Sequence, residues 1–202
     1  MKKLSCAAWA VAAYVGVCGL IHLPYMFLTR AGVVERSAMM QDFITIITGP
    51  MICLSEVIFF AYMLTKIRGE KSLSGAVLTL LTVPAVSAIV RIGNFAAARG
   101  CECFASFWGE WGGLMNNLST LFRVVAVVAL IWLALSLRRG SMARIMSWVA
   151  TYDTVFTLIV WEILVSKVAL PSWLHPFALV QFYVIWILFY VALAKYYKPQ
   201  ER

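Results

Sequence analysis

The sequence predicts an all-α, polytopic integral membrane protein. Six transmembrane helices would form one bundle, residues 1–202 a single domain, with both termini cytoplasmic. Three observations carry that expectation. Hydrophobic residues make up 63% of the chain and charged ones 13%, where a soluble domain is nearer half apolar and about a quarter charged. Six apolar runs reach the roughly 20 residues that a hydrocarbon core about 30 Å thick demands of a helix. Basic residues gather in alternate connections. The runs are continuously apolar, which argues against the alternating pattern of a membrane β-barrel.

The first helix is expected over residues 4–28, behind the basic start "MKK". Its apolar stretch is too long for a cleaved signal, whose apolar region is about 7–15 residues, so it is expected to stay. The second helix is expected over 43–65, the third over 73–97 and the fourth over 114–137. The fifth is expected over 145–166 and the sixth over 173–196. Pro24, Pro50 and Pro84 fall in or near the first three. Each removes a backbone donor and frees the carbonyl four residues earlier, those of Leu20, Ile46 and Leu80. In lipid such carbonyls must be met by neighbouring helices, side chains or water.

The net charge of +8 follows membrane topology rather than nucleic-acid binding. Eleven basic residues fall on the side of the termini: Lys2, Lys3, Lys66, Arg68, Lys71, Arg138, Arg139, Arg144, Lys195, Lys198 and Arg202. Four fall opposite: Arg30, Arg36, Arg99 and Lys167. That asymmetry follows the positive-inside rule and places the protein in the cytoplasmic (inner) membrane. Between the third and fourth helices, "ARGCECFASFWGEWGG" carries Phe104, Phe107, Trp108 and Trp111. Aromatic rings crowd membrane interfaces, so the stretch reads as an interfacial segment or a lid over an outward-facing cavity.

Five ionisable residues lie inside the expected spans: Glu56, Arg91, Arg123, Asp153 and Glu162. A charge near the bilayer centre costs at least about 2.5–3.5 kcal/mol, so these should face inward and find partners. A rise of about 1.5 Å per residue puts Glu56 and Asp153 roughly 20 Å from the outer helix ends, and Arg123 roughly 14 Å. Arg123 is therefore expected to reach Glu56 and Asp153. Arg91, shallower, is matched to Glu162 or to the carboxylates expected for Arg123. Asn116, Ser119, Thr120 and Arg123 recur at helical spacing on one face, as do Pro84, Ser87, Arg91 and Asn94, and Gly49, Cys53 and Glu56. The candidate site is Arg123, Glu56, Asp153, Arg91, Asn94 and Asn116. Glu162, nine residues beyond Asp153 and so about 180° around the helix, is expected at the outer interface beside Trp161.

The constellation suits binding or transport of a small anionic or amphiphilic solute, with the lipid bilayer as the constant partner. Arg123 would hold a carboxylate in one state and release it in another. A second class is a structural or assembly subunit of a membrane complex, with a partner membrane subunit and the same charges serving only to join helices. A third is a redox protein, in which His22 and His175 bind haem or Cys101 and Cys103 exchange thiols with a quinone. The sequence names no cofactor. His22 is expected to meet a carbonyl freed by Pro24, and His175 to sit at the wet end of its helix. No hydrolase, zinc-protease or phosphate-loop motif occurs, so catalysis is not expected. Nothing points to nucleic acid.

Overall fold

The computed structural model describes residues 2–35, 37–67, 69–160 and 174–198. Arg36, Arg68, Trp161, Glu162, Lys167 and Arg202 lie outside them, so the expectations placed on those residues are not addressed by the fold. Among the described residues every regular element is helical: α1 Lys2–Arg30, α2 Ala38–Thr48, α3 Pro50–Lys66, α4 Lys71–Ala98, α5 Glu102–Ser136, α6 Met142–Thr157 and α7 Leu174–Tyr196. Five stretches among the described residues are long and apolar enough to cross a membrane: α1, α2 with α3, α4, most of α5, and α7. The expected fifth span begins as α6 and passes through π geometry at 158–160 before leaving the described residues.

The packed helix pairs trace a closed ring: α1 against α3, α3 against α4, α4 against α5, α5 against α6, α6 against α7, and α7 back against α1. Antiparallel pairing of α1 and α7 is fixed at both ends. Ser5 Oγ donates to the Ala194 carbonyl at 2.7 Å, and His22 meets Tyr183 seventeen residues further along α1. Both described termini therefore share one end of the ring. The same end holds the α3–α4 turn and the α5–α6 turn, tied by a 2.8 Å contact between the Ser72 and Ser136 hydroxyls.

That end is densely filled. Leu4, Phe59, Met63, Val77, Leu130, Leu133 and Leu193 are buried there in one apolar cluster. The surface around the ring is apolar too: Leu20, Ile58, Ile89, Val128 and Leu135 are each more than half exposed. A water-facing protein rarely exposes so much contiguous apolar area; hydrocarbon accommodates it without penalty.

Two departures from expectation shape the functional end. Pro50 does not kink one long second helix; it starts a new one. Its missing N–H is harmless at a first helical position, so α2 ends at Thr48 and α3 begins at Pro50. The Ile47 carbonyl freed by the break accepts from Tyr14 Oη of α1 at 3.0 Å and from Cys18 Sγ at 3.5 Å. A side chain at Gly49 would collide with the Thr45 carbonyl, only 2.7 Å from where a Cβ would lie.

The second departure is α5, which begins at Glu102 rather than near 114 and runs 35 residues. At about 1.5 Å per residue it is some 52 Å long, well beyond a bilayer core. The "CECFASFWGEWGG" stretch is thus helix, despite three glycines that weaken one. Its Trp108 rests where a Gly93 side chain would stand on α4 and donates its indole N–H to Asn94 Oδ1. Trp132 repeats the device on Gly75, donating to Ser72 Oγ at 3.0 Å. The stretch packs along α4, and none of its described side chains lines the central cavity described below.

Candidate functional site

A cavity of about 340 Å³ occupies the half of the ring away from the termini. All seven helices reach it. Glu56, Arg91, Arg123 and Asp153, four of the six residues singled out by sequence, all line it. The helical spacings explain the convergence. Ile52, Cys53 and Glu56 share one face of α3, and Pro84, Ser87 and Arg91 share one face of α4. On α7 the wall is His175, Ala178, Leu179, Phe182, Tyr183 and Trp186. Those eleven residues of rise span about 16 Å of the cavity's length.

The partners of the two carboxylates differ from expectation. Asp153, 1% exposed, accepts from Gln181 Nε2 at 2.9 Å through Oδ1 and from Trp186 Nε1 at 3.1 Å through Oδ2. Glu56 Oε1 accepts from the Tyr190 hydroxyl at 2.9 Å. Both acids are thus met by uncharged donors on consecutive turns of α7, not by Arg123. Charge–dipole hydrogen bonds are stronger than neutral ones, so each stabilises a buried carboxylate without consuming a guanidinium. Between described residues the one ion pair joins Arg99 to Asp42. Arg123 faces the same cavity and has an interaction of its own.

Arg91 sits at the broken helix. Its Nη1 lies 3.4 Å from where a Gly49 Cβ would be, so the absent side chain leaves room for the guanidinium. Arg91 also borders a second cavity of about 330 Å³ with Gln41, Asp42, Gly49, Asn94 and Arg99. Asn94 and Asn116 do not reach the main cavity. Asn94 Nδ2 donates to Asn116 Oδ1 at 3.2 Å, and the pair fastens α4 to α5 beside Trp108.

His175 is exposed in the first turn of α7, at the helix end where it is expected, whereas His22 is placed differently. His22 Nδ1 lies 3.0 Å from the Tyr183 hydroxyl rather than at a carbonyl near Pro24, and His22 and His175 both face the cavity. Among the described residues no three of His, Cys, Asp and Glu gather as a metal-binding set. Cys101 is exposed ahead of α5, and the Cys103 side chain lies outside the described residues.

Sequence reasoning missed Gln181, Trp186, Tyr190 and Tyr183. One signal was available: Gln181 is the lone carboxamide in the apolar run of α7, and such a residue needs a buried partner. The aromatics carried no such mark, since their ring surface alone justifies burial. No family model matches the chain, and no curated protein or solved structure is found to match it.

Proposed function

We propose that the protein is a multi-pass protein of the cell (inner) membrane that binds and carries a small anionic or amphiphilic solute. In this reading six helices span the bilayer as one domain. The end bearing Lys66, Lys71, Arg138, Arg139, Arg144 and Lys195 faces the cytoplasm, as the positive-inside rule requires. The observation that carries the proposal is the cavity itself: two carboxylates, two guanidiniums and two imidazoles line one void together with apolar Ile52, Val83, Ala126, Leu179 and Phe182 and the hydroxyls of Thr48, Ser87, Thr154 and Thr157. A mostly apolar pocket with a few convergent polar groups is the form small-molecule sites take.

Helix irregularity supports the same reading. The two stretches that carry the acids lose α geometry on the side away from the termini, at Gly49 ahead of Glu56 and at 158–160 beyond Asp153. Interrupted helices beside a midplane site are a recurrent feature of secondary transporters, and π turns often mark functional positions. Arg91 and Arg123 would receive the acidic group of the solute.

A structural or assembly role is the competing reading, in which a partner membrane subunit replaces the solute. Its support is Asp153, buried and doubly bonded, which joins α6 to α7 as a clamp would. A thermal-unfolding screen of the purified protein against small anions and amphiphiles, repeated at several pH values, separates the two. Carrier function requires at least one compound to raise the midpoint in a dose-dependent way. A midpoint indifferent to every compound and pH leaves the clamp as the better description.

A further inference from the structure

The short helix α2 is poorly anchored. Of its eleven residues only Ile44 is buried, and among the described elements it packs against α1 and α3 alone. A void lies on either side of it. One, of about 190 Å³, separates it from Tyr25, Met26 and Thr29 of α1. The other, of about 330 Å³, separates it from Phe95, Ala98 and Arg99 of α4. Gln41 and Thr45 of α2 border both. Each void also shares one residue with the central cavity, His22 on the α1 side and Arg91 on the α4 side. The helix therefore stands between two approaches to the same interior.

Its two ends are held differently. At the inner end the break at Gly49 uncouples it from α3, because Pro50 has no N–H to offer the Ile46 carbonyl. The Ile47 carbonyl is pinned to α1 by Tyr14 and Cys18, which fixes a pivot there. At the far end Asp42 pairs with Arg99 across the α4-side void, and the Tyr25 hydroxyl donates to the Ser37 carbonyl at 3.4 Å. Both members of the ion pair are partly exposed, and such pairs hold only weakly. Met39, Phe43 and Ile46 leave an apolar face of α2 exposed, which hydrocarbon accommodates in more than one position.

Resting on the binding role proposed above, we propose that α2 is the gate of the cavity. Pivoting at Gly49 towards the α1-side void, it opens the crevice against α4, and the Asp42–Arg99 pair latches that crevice shut. Arg91 borders both the crevice and the central cavity. It is then the interior guanidinium that an entering acidic group meets first.

Thiol labelling reads the gate without any solute. Ala126→Cys places a thiol on the cavity wall of the full chain, otherwise stripped of cysteine and held in proteoliposomes. Two membrane-impermeant methanethiosulfonates, one cationic and one anionic, are then applied. Asp42→Asn and Arg99→Gln should each speed labelling by both reagents about two- to fivefold, the factor an exposed ion pair supplies. Asp42→Arg combined with Arg99→Asp rebuilds the pair with its charges exchanged. It should restore the starting rate, which also shows that the variants fold. A mere change of local potential would speed one reagent and slow the other, in opposite senses for the two single variants, and that pattern overturns the gate. Unchanged rates at a thiol that labels normally, or rates the exchanged pair does not restore, overturn it too and leave the binding role standing. A thiol that neither reagent reaches in any variant overturns the gate and the binding role together.

Discussion

Replacing Asp153 with leucine should destabilise the folded protein by about 2–4 kcal/mol, the largest effect expected of any single change in the cavity wall. The carboxylate accepts from Gln181 and Trp186 with both oxygens, and leucine accepts nothing. Each buried donor left without a partner costs about 1–3 kcal/mol. Polar contacts between membrane helices sit at the low end of such ranges, because the alternative state also finds partners. Asp153→Asn should cost less, since its carbonyl oxygen can still serve one donor while its amide nitrogen faces the other. Unfolding in graded denaturant, read on the chain in detergent, gives both values. Leucine matching wild type would mean that the buried charge is a burden offset by its bonds, as some buried ionic groups are, and that α6 is held to α7 by packing alone.

Arg123→Gln is expected to act mainly on the site: a smaller shift in unfolding midpoint than Asp153→Leu, and loss of at least about tenfold in solute affinity. Glu56 and Asp153 take their hydrogen bonds from α7, so removing the guanidinium leaves those bonds in place. What disappears, besides Arg123's own interaction, is a positive charge on the cavity wall, where a low dielectric magnifies its attraction for an acidic group. Arg123→Lys should recover part of the affinity, because a lysine restores the charge without the planar pair of donors. The readout is ligand titration beside thermal unfolding, each on the same preparation. A variant that inserts poorly or unfolds early, with any residual protein binding normally, would assign Arg123 to the scaffold.

The convergence of Glu56, Arg91, Arg123 and Asp153 was legible because intramembrane charge is expensive and helical spacing says which residues share a face. Nothing further was needed to bring those four to one void. Their bonding was not legible. Opposite charges at matching depth suggested ion pairs, yet tyrosine, tryptophan and glutamine took the carboxylates, and aromatic residues in an apolar run give no hint of such use. Asn94 and Asn116 lay on the predicted faces but one to two turns further out, where they bond to each other.

Glycine misled in both directions. Three glycines near Trp108 and Trp111 disfavour the helix found there, since glycine weakens a helix by roughly 1 kcal/mol relative to alanine. The contact of Trp108 with Gly93 that accompanies the helix there joins residues fifteen apart on different elements, beyond the reach of any local pattern. Gly49 shares a predicted face with Cys53 and Glu56, where a residue without a side chain suits a close neighbour. It does admit Arg91, but it also stands at a break that Pro50 alone would not have located, because proline inside α1 and α4 leaves those helices continuous.

Single cysteines placed in a chain stripped of its five native cysteines offer the sharpest test of a wet cavity enclosed by the ring. Ala126 lines the void, whereas Val128, two residues on, is 58% exposed on the outer face of α5. In proteoliposomes, Ala126→Cys should react with a charged, membrane-impermeant methanethiosulfonate, and Val128→Cys should remain unmodified in hydrocarbon. Labelling at 128 with none at 126 would place water outside the ring and lipid within it, and the cavity could then hold no charged solute.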